Sequence, residues 1–485
     1  MKFIFWGILC VLPLLCFAQV QYNYSPSSHQ SKLSSDFIQH REVRLSQDLL
    51  RIPLKGKALK RQRDIYQHRF ERLKQRGKDA EFLFDDLLEP YCQKVFQNIL
   101  VANSHLPAED IHLLVSRSAI PNASCLGEGT IIINLGLLSR LKTEAQLAFV
   151  LCHEIAHYVQ NHVNEHIQKR VVTFYSKETQ QKLREIRNSK YNQNAQALDL
   201  LQAFTYDSHR HGRFKESEAD SIGLILLSNT SYPPNASIQV MSILEAADLN
   251  KYEGKLDLNK HLHHPSYPLK ESYFRYEADT TFSYSNGSLI DWNEDSLRTH
   301  PDTHRRMQAL ARQLSSGRLA SLQKYSPQAS FTTVSQMSDF EILVYDFSRQ
   351  AYGKALYQSL IILEVYPDNL FLRAMISICM SELYLAKLDH RLSQCLDFPD
   401  RLYSDEYNQF LHFFNSLRLK EYKELIYLYL EPLKDKCLGD EFCGLAYIQM
   451  SQINEKAGSA LELKGQYQKR FPKGRYQKQI EDIFD

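Results

Sequence analysis

Leu147-Ala-Phe-Val-Leu-Cys-His-Glu-Ile-Ala-His-Tyr-Val159 sets two histidines and a carboxylate inside an apolar run. Apolar residues recur here at three- and four-residue steps, and the spacing predicts an amphipathic helix over Thr143–His166. His153 and His157 project from one face of that helix, one turn above each other. Both imidazoles can therefore reach one tetrahedral metal, with Glu154 directed at its open position. Burying these groups among Leu147, Phe149, Val150, Leu151, Ile155 and Val159 costs on the order of several kcal/mol unless a metal or other partners satisfy them. Two satisfied core histidines are the alternative.

Two histidines on one helix need a third ligand from elsewhere. Glu216-Ser-Glu-Ala-Asp220 lies 59 residues beyond His157 and is expected to open a second apolar helix. Glu216 is the candidate ligand, which leaves one zinc position for water. Asp220, one turn on, faces the same way and can accept the remaining N–H of a ligating histidine. Glu218 points to another face and is the weaker candidate. An acidic helix start that complements the macrodipole is the purely structural alternative.

His153–His157 followed by Glu216-x-x-Ala-Asp220 resembles the zinc metallopeptidase family of HtpX, BepA and the CAAX prenyl proteases. Asn122-Ala123, Gly127-Glu-Gly129-Thr-Ile-Ile-Ile and Gly136-Leu-Leu are similar to the strand segment this family carries before its catalytic helix. His162 stands where the family often has histidine, and Thr299-His300-Pro301 with Arg306 resembles its closing motif. Ser124, Cys125 and Leu126 depart from the family's aromatic-to-proline stretch, and 250–298 is longer than typical. The resemblance covers residues 80–315 and implies a zincin-type metallopeptidase domain with a small sheet. It implies one Zn2+ per chain, held by His153, His157 and Glu216, which lowers the pKa of its bound water and polarises the scissile carbonyl. Glu154 takes the water's proton and returns it to the leaving amine. His300 or Arg306 stabilises the oxyanion or the product carboxylate. His300 alternatively caps the metal as a fourth ligand.

Upstream of the helix, Ile111–Ser116 and Thr130–Asn134 read as strands, the second on its run of three isoleucines. The edge of Thr130–Asn134 could pair with an extended substrate, which would favour unfolded or misassembled chains. Arg41–Lys78 carries 13 basic and 4 acidic residues and reads first as a solvated helical face. Residues 19–40 are polar and turn-rich, a mobile leader. Lys2 followed by the apolar Phe3–Ala18 reads as a signal peptide over 1–18, and Leu14-Leu15 before Cys16 argues against lipid attachment there.

The metallopeptidase domain is expected to span 41–320, with 250–298 as an irregular insertion over its surface. Beyond it, Pro367, Pro399, Pro432 and Pro472 close helical segments at spacings of 32, 33 and 40 residues. This period resembles tetratricopeptide repeats over 321–485, which present a concave surface to a protein partner. The fold class is thus α+β and mainly helical, with an all-α repeat domain at the end, as in exported BepA-like members.

Composition narrows the rest. Across 485 residues, 58 Lys and Arg oppose 56 Asp and Glu, so no global field favours nucleic acid or anionic membranes. No stretch after Ala18 reaches about 18 uninterrupted apolar residues, the length of a membrane span. Among nine cysteines, Cys437 and Cys443 are the first candidate pair. The expected function is an exported, periplasmic or secreted, zinc endopeptidase. Its substrates would be misfolded or misassembled envelope proteins, and its tail would reach a membrane assembly machine or its clients. The competing class is a chaperone or assembly adaptor whose repeat domain does the work, with the metal site silent or structural. A cell-wall amidase is a third, against which the strand segment and tail argue.

Overall fold

The computed structural model describes Tyr24 and residues 34–189, 192–249, 256–270, 273, 303–315, 329–400, 403–454, 456 and 458–484. The expected signal peptide and His300 lie outside the described residues.

Helices α1 (Ser35–Leu50), α2 (Gly56–Lys78) and α3 (Leu88–Ala102) open the described chain. The last part of the range 19–40, expected as a leader, is helical from Ser35. Ser34 caps α1 through the Phe37 N–H, and Tyr24 is buried. The basic stretch is also more than a solvated face. Arg41, buried, donates to the carbonyls of Asp110 and Glu128, and Arg44 donates to Asp110 and to the Tyr158 hydroxyl. Arg69 lies 3.5 Å from the Glu128 carboxylate and donates to Asn164. These cations brace α1 and α2 against the turn after the outer strand of the sheet.

That sheet has three strands, β1 (His112–Ser116), β2 (Ala123–Cys125) and β3 (Thr130–Asn134), in the order β1-β3-β2. β3 is central, parallel to β1 and antiparallel to β2. It therefore has no free edge for a substrate, and the outer strand on that side is β2. The reversal from β2 into β3 depends on Gly127 and Gly129, both at positive φ. A Cβ on Gly129 would stand 2.1 Å from the Asp110 carbonyl oxygen, so the backbones approach too closely for any side chain.

After α4 (Leu135–Leu138) comes α5 (Glu144–Val159), which carries His153, Glu154 and His157. Thr143 and Gln146 cap its start reciprocally. Every residue from Glu144 to Ala156 is buried, so α5 is a core helix rather than an amphipathic one. The helix expected over Thr143–His166 is in fact two. Asn161 takes a left-handed φ of 54°, and α6 (His162–Phe174) starts after it. Next come α7 (Lys177–Asn188) and α8 (Gln193–Ser228). α8 is 36 residues long, so Glu216 and Asp220 lie in its interior rather than at a helix start. The macrodipole explanation for these acids is thereby removed. α5 packs against α8, α3, β2 and α9 (Ala236–Leu249), and α11 (Thr303–Ser315), which follows α10 (Leu258–Leu262), packs on α8 and α9.

The rest is helical: α12 (Ala329–Ser348), α13 (Tyr352–Val365), α14 (Leu370–Leu388), α15 (Leu392–Cys395), α16 (Asp405–Ser416), α17 (Leu419–Leu430), α18 (Lys434–Cys437), α19 (Glu441–Ile453), α20 (Ala460–Arg470) and α21 (Gln477–Asp482). Pro367, Pro432 and Pro472 follow α13, α17 and α20, while Pro399 follows the single turn α15. α14 packs on α13, α17 and α19 and so contacts more than its neighbouring hairpins, unlike a strict nearest-neighbour stack. Cys437 and Cys443 are disulfide-bonded, and the other described cysteines are free and buried.

α12 belongs to both halves. Phe331, Val334 and Ile342 join the core around α5, while Phe340 and Leu343 join the core of the tail. Leu258, Leu262 and Tyr273 also bury in the tail core, so the described part of 250–298 covers the tail rather than the metal-site half.

Candidate metal centre

His153 and His157 point into the crossing of α5 and α8, where Glu216 meets them. The crossing is close because Gly223 faces the α5 backbone. A Cβ there would lie 3.1 Å from both the Cα and the N of His153. Nε2 of His153 lies 3.0 Å from Nε2 of His157. The Glu216 carboxylate oxygens stand 3.5 Å from the first and 3.4 Å from the second. Three corners of a tetrahedron with bonds of about 2.0–2.1 Å are about 3.3 Å apart, so these separations fit a single zinc ion. Two imidazole nitrogens and one carboxylate are also a donor set that zinc accepts. Among the described residues this is the one group of three His, Cys, Asp or Glu side chains so arranged.

Outer contacts orient the candidate ligands. Asp220 Oδ1 is 3.0 Å from Nδ1 of His153, as its position one turn beyond Glu216 suggests. Asp220 also accepts from Nε and Nη2 of Arg306 at 2.7 and 2.8 Å. Nη1 of Arg306 lies 3.0 Å from Glu216, and the side chain is buried. This corrects the reading of Arg306 as a group that meets the oxyanion or product. Its guanidinium is occupied by two carboxylates and acts through them. On the other side, Nδ1 of His162 lies 3.0 Å from Nδ1 of His157, and its Nε2 lies 3.2 Å from Glu218. Glu218 is thus directed away from the three donors, as its helical phase requires.

Burial opposes the charge on Glu216 and Asp220, but His153 and Arg306 overcome it and hold both carboxyls below the usual range. Burial likewise opposes a charge on His153, yet Asp220 and Glu216 raise it to about 10. Burial and the neighbouring His153 lower His157 to about 3. Glu154 is buried beside them, and desolvation pushes its pKa up to about 7 against the pull of His153. The backbone of Cys125 adds a smaller downward pull. Sequence reasoning assigned no partner to His162, no contact to Cys125 and no role to Gly223. A glycine one turn past Asp220, on the face that meets α5, was the available signal for the last.

Residues 86–314, which hold all these side chains, match peptidase family M48. This segment, a little under half of the chain, is similar to the M48 peptidases. Over 136 residues the chain is 35% identical to the mitochondrial metalloendopeptidase OMA1 of Arabidopsis thaliana, covering 28% of this chain and 26% of that protein. Over 168 residues it is 30% identical to the protein of the same name from Schizosaccharomyces pombe, covering 33% of this chain and 44% of the relative. The chain thus spans less than half the length of these relatives. Both are mitochondrial by name, which overturns the periplasmic or secreted location expected from the N-terminal residues. No helix among the described residues is long and apolar enough to cross a membrane.

Proposed function

We propose that this protein is a zinc metalloendopeptidase with Glu154 as its general base. The observation that carries the reading is the meeting of His153, His157 and Glu216 at 3.0–3.5 Å beside the buried Glu154. Bound by these three side chains, zinc supplies a Lewis acid that acidifies water and polarises a carbonyl. Glu154, with its proton affinity raised towards neutrality by burial, takes a proton from water and delivers it to the leaving amine. Asp220 and His162 orient the two imidazoles from behind, and Arg306 keeps Asp220 and Glu216 ionised. The outer strand β2, packed on α5, offers its backbone to an extended polypeptide. Backbone pairing reads little sequence, so the proposed substrates are misfolded or misassembled proteins. The tetratricopeptide-like tail is proposed to hold a protein partner.

The test is cleavage of unfolded casein by the wild type and by Glu154→Gln, each with metal content measured. The variant should lose at least about 100-fold in rate while retaining zinc. Chelation should silence the wild type, and added zinc should restore it. If Glu154→Gln cleaves as the wild type does, or the purified protein holds no metal, the hydrolytic reading fails. A chaperone or assembly adaptor that works through its tail would then stand in its place.

A further inference from the structure

His261, His263 and His264 belong to α10 and the turn after it, which pack on the tail and take no part in the metal centre. They line a cavity of about 260 Å³ with Arg373, Lys436 and Asp368. Two full positive charges therefore face one acid, before any histidine is protonated. His261 is engaged by Glu364 at 2.6 Å, whereas Lys436 is exposed and makes no ion pair among the described residues. Arg373 donates through Nε and Nη2 to the Pro367 carbonyl, which fixes its guanidinium without neutralising it. Tyr429, also in the lining, sets its ring 5.9 Å from the Arg373 guanidinium. Leu262, Leu370 and Leu428 supply an apolar surface beside these groups.

A fixed guanidinium and an unpaired ammonium both donate, so the complementary group is an anion that accepts several hydrogen bonds. The adjoining leucines ask for an apolar side chain next to that anion. Inorganic phosphate satisfies the first demand alone, while a chain-terminal carboxylate on an apolar residue satisfies both. We propose that this cavity binds the C-terminal carboxylate of a polypeptide that ends in an apolar residue. The site lies on the tail, and its occupancy does not depend on the hydrolytic reading of the metal centre.

The experiment is fluorescence anisotropy of the full chain with a fluorescein-labelled glycine-rich peptide that ends in two leucines and a free carboxylate. The same peptide with an amidated end is the paired probe, and inorganic phosphate is the competitor. Lys436→Glu, at an exposed position, tests the charge without disturbing the core, and a thermal melt checks its fold. The free carboxylate should bind at least about tenfold tighter than the amide, a charge-assisted hydrogen bond being worth that much. Lys436→Glu should remove most of this difference and leave casein cleavage unchanged. Equal binding of acid and amide, no binding of either, or undiminished affinity in folded Lys436→Glu would each overturn the proposal. Displacement of the peptide by phosphate at equal concentration would also overturn it, since the leucine contacts would then contribute nothing.

Discussion

Asp220 stands 3.0 Å from Nδ1 of His153, on the side of the ring opposite the nitrogen that faces Glu216. The carboxylate is held in turn by two N–H groups of Arg306. Such a partner fixes both the tautomer and the angle of a ligating imidazole. Asp220→Ala should therefore weaken zinc binding by about 10–100-fold, read by competition with a fluorescent chelator. A variant with wild-type affinity would show that the ring is positioned by packing alone.

Gly223 permits the contact of α8 with the backbone of His153. A methyl group there must push apart the two helices that carry the donors. Gly223→Ala should cost about 1–3 kcal/mol in stability, as overpacking in a core does, and chelator competition should report weaker zinc binding alongside it. Denaturant titration measures the first quantity. Full stability with intact zinc affinity would mean that the crossing has slack.

Asp339 on α12 reports on the junction between the halves. Burial pushes its carboxyl up to about 6, against the opposing pull of Ser139, Arg140 and Lys142. The folded value exceeds the unfolded one of about 3.9, so the native state binds the proton more tightly. Stability contributed by this group is then lost as pH rises from about 4 to 6. Asp339→Asn should stabilise the protein by about 1–3 kcal/mol at pH 7 and bring no gain below about pH 4. Denaturant titrations at the two pH values give the comparison, and an equal effect at both would assign the change to packing.

Tyr24 stacks on Phe340 and meets Phe371 edge-on, both at 4.9 Å between ring centres, and its hydroxyl donates to Glu341. Glu341 also pairs with the buried Arg117, at the end of β1, at 3.2 Å. The N-terminal segment is thus tied to α12 and to the sheet at one place. Tyr24→Ala should lower stability by about 3 kcal/mol, the cost of deleting a buried ring. An unchanged urea midpoint would show that the ring is not held there in solution.

Much of the site was readable because its signals are local. The pitch of a helix alone puts His153 and His157 on one face, and a β-branched run alone favours a strand at Thr130–Asn134. The same rule of phase separates Glu216 and Asp220 from Glu218, which the structure turns towards His162. Residue spacing acts over a turn or two, and within that reach it was a dependable guide.

Long-range placement was not readable in this way. That β2 and not β3 forms the outer strand follows from the reversal at Gly127 and Gly129, which no alternation of side chains announces. Arg306 was assigned to the reaction because its motif named it, yet the folded chain commits it to Asp220 and Glu216. His162 reaches His157 only because Asn161 breaks the helix between them. Arg41, Arg44 and Arg69 look like surface charges until the sheet supplies the carbonyls and acids they brace. Local order is set by sterics between near neighbours, which are written along the chain. Which distant groups share a buried space is set by how whole helices pack, and that packing exists only once the chain has folded.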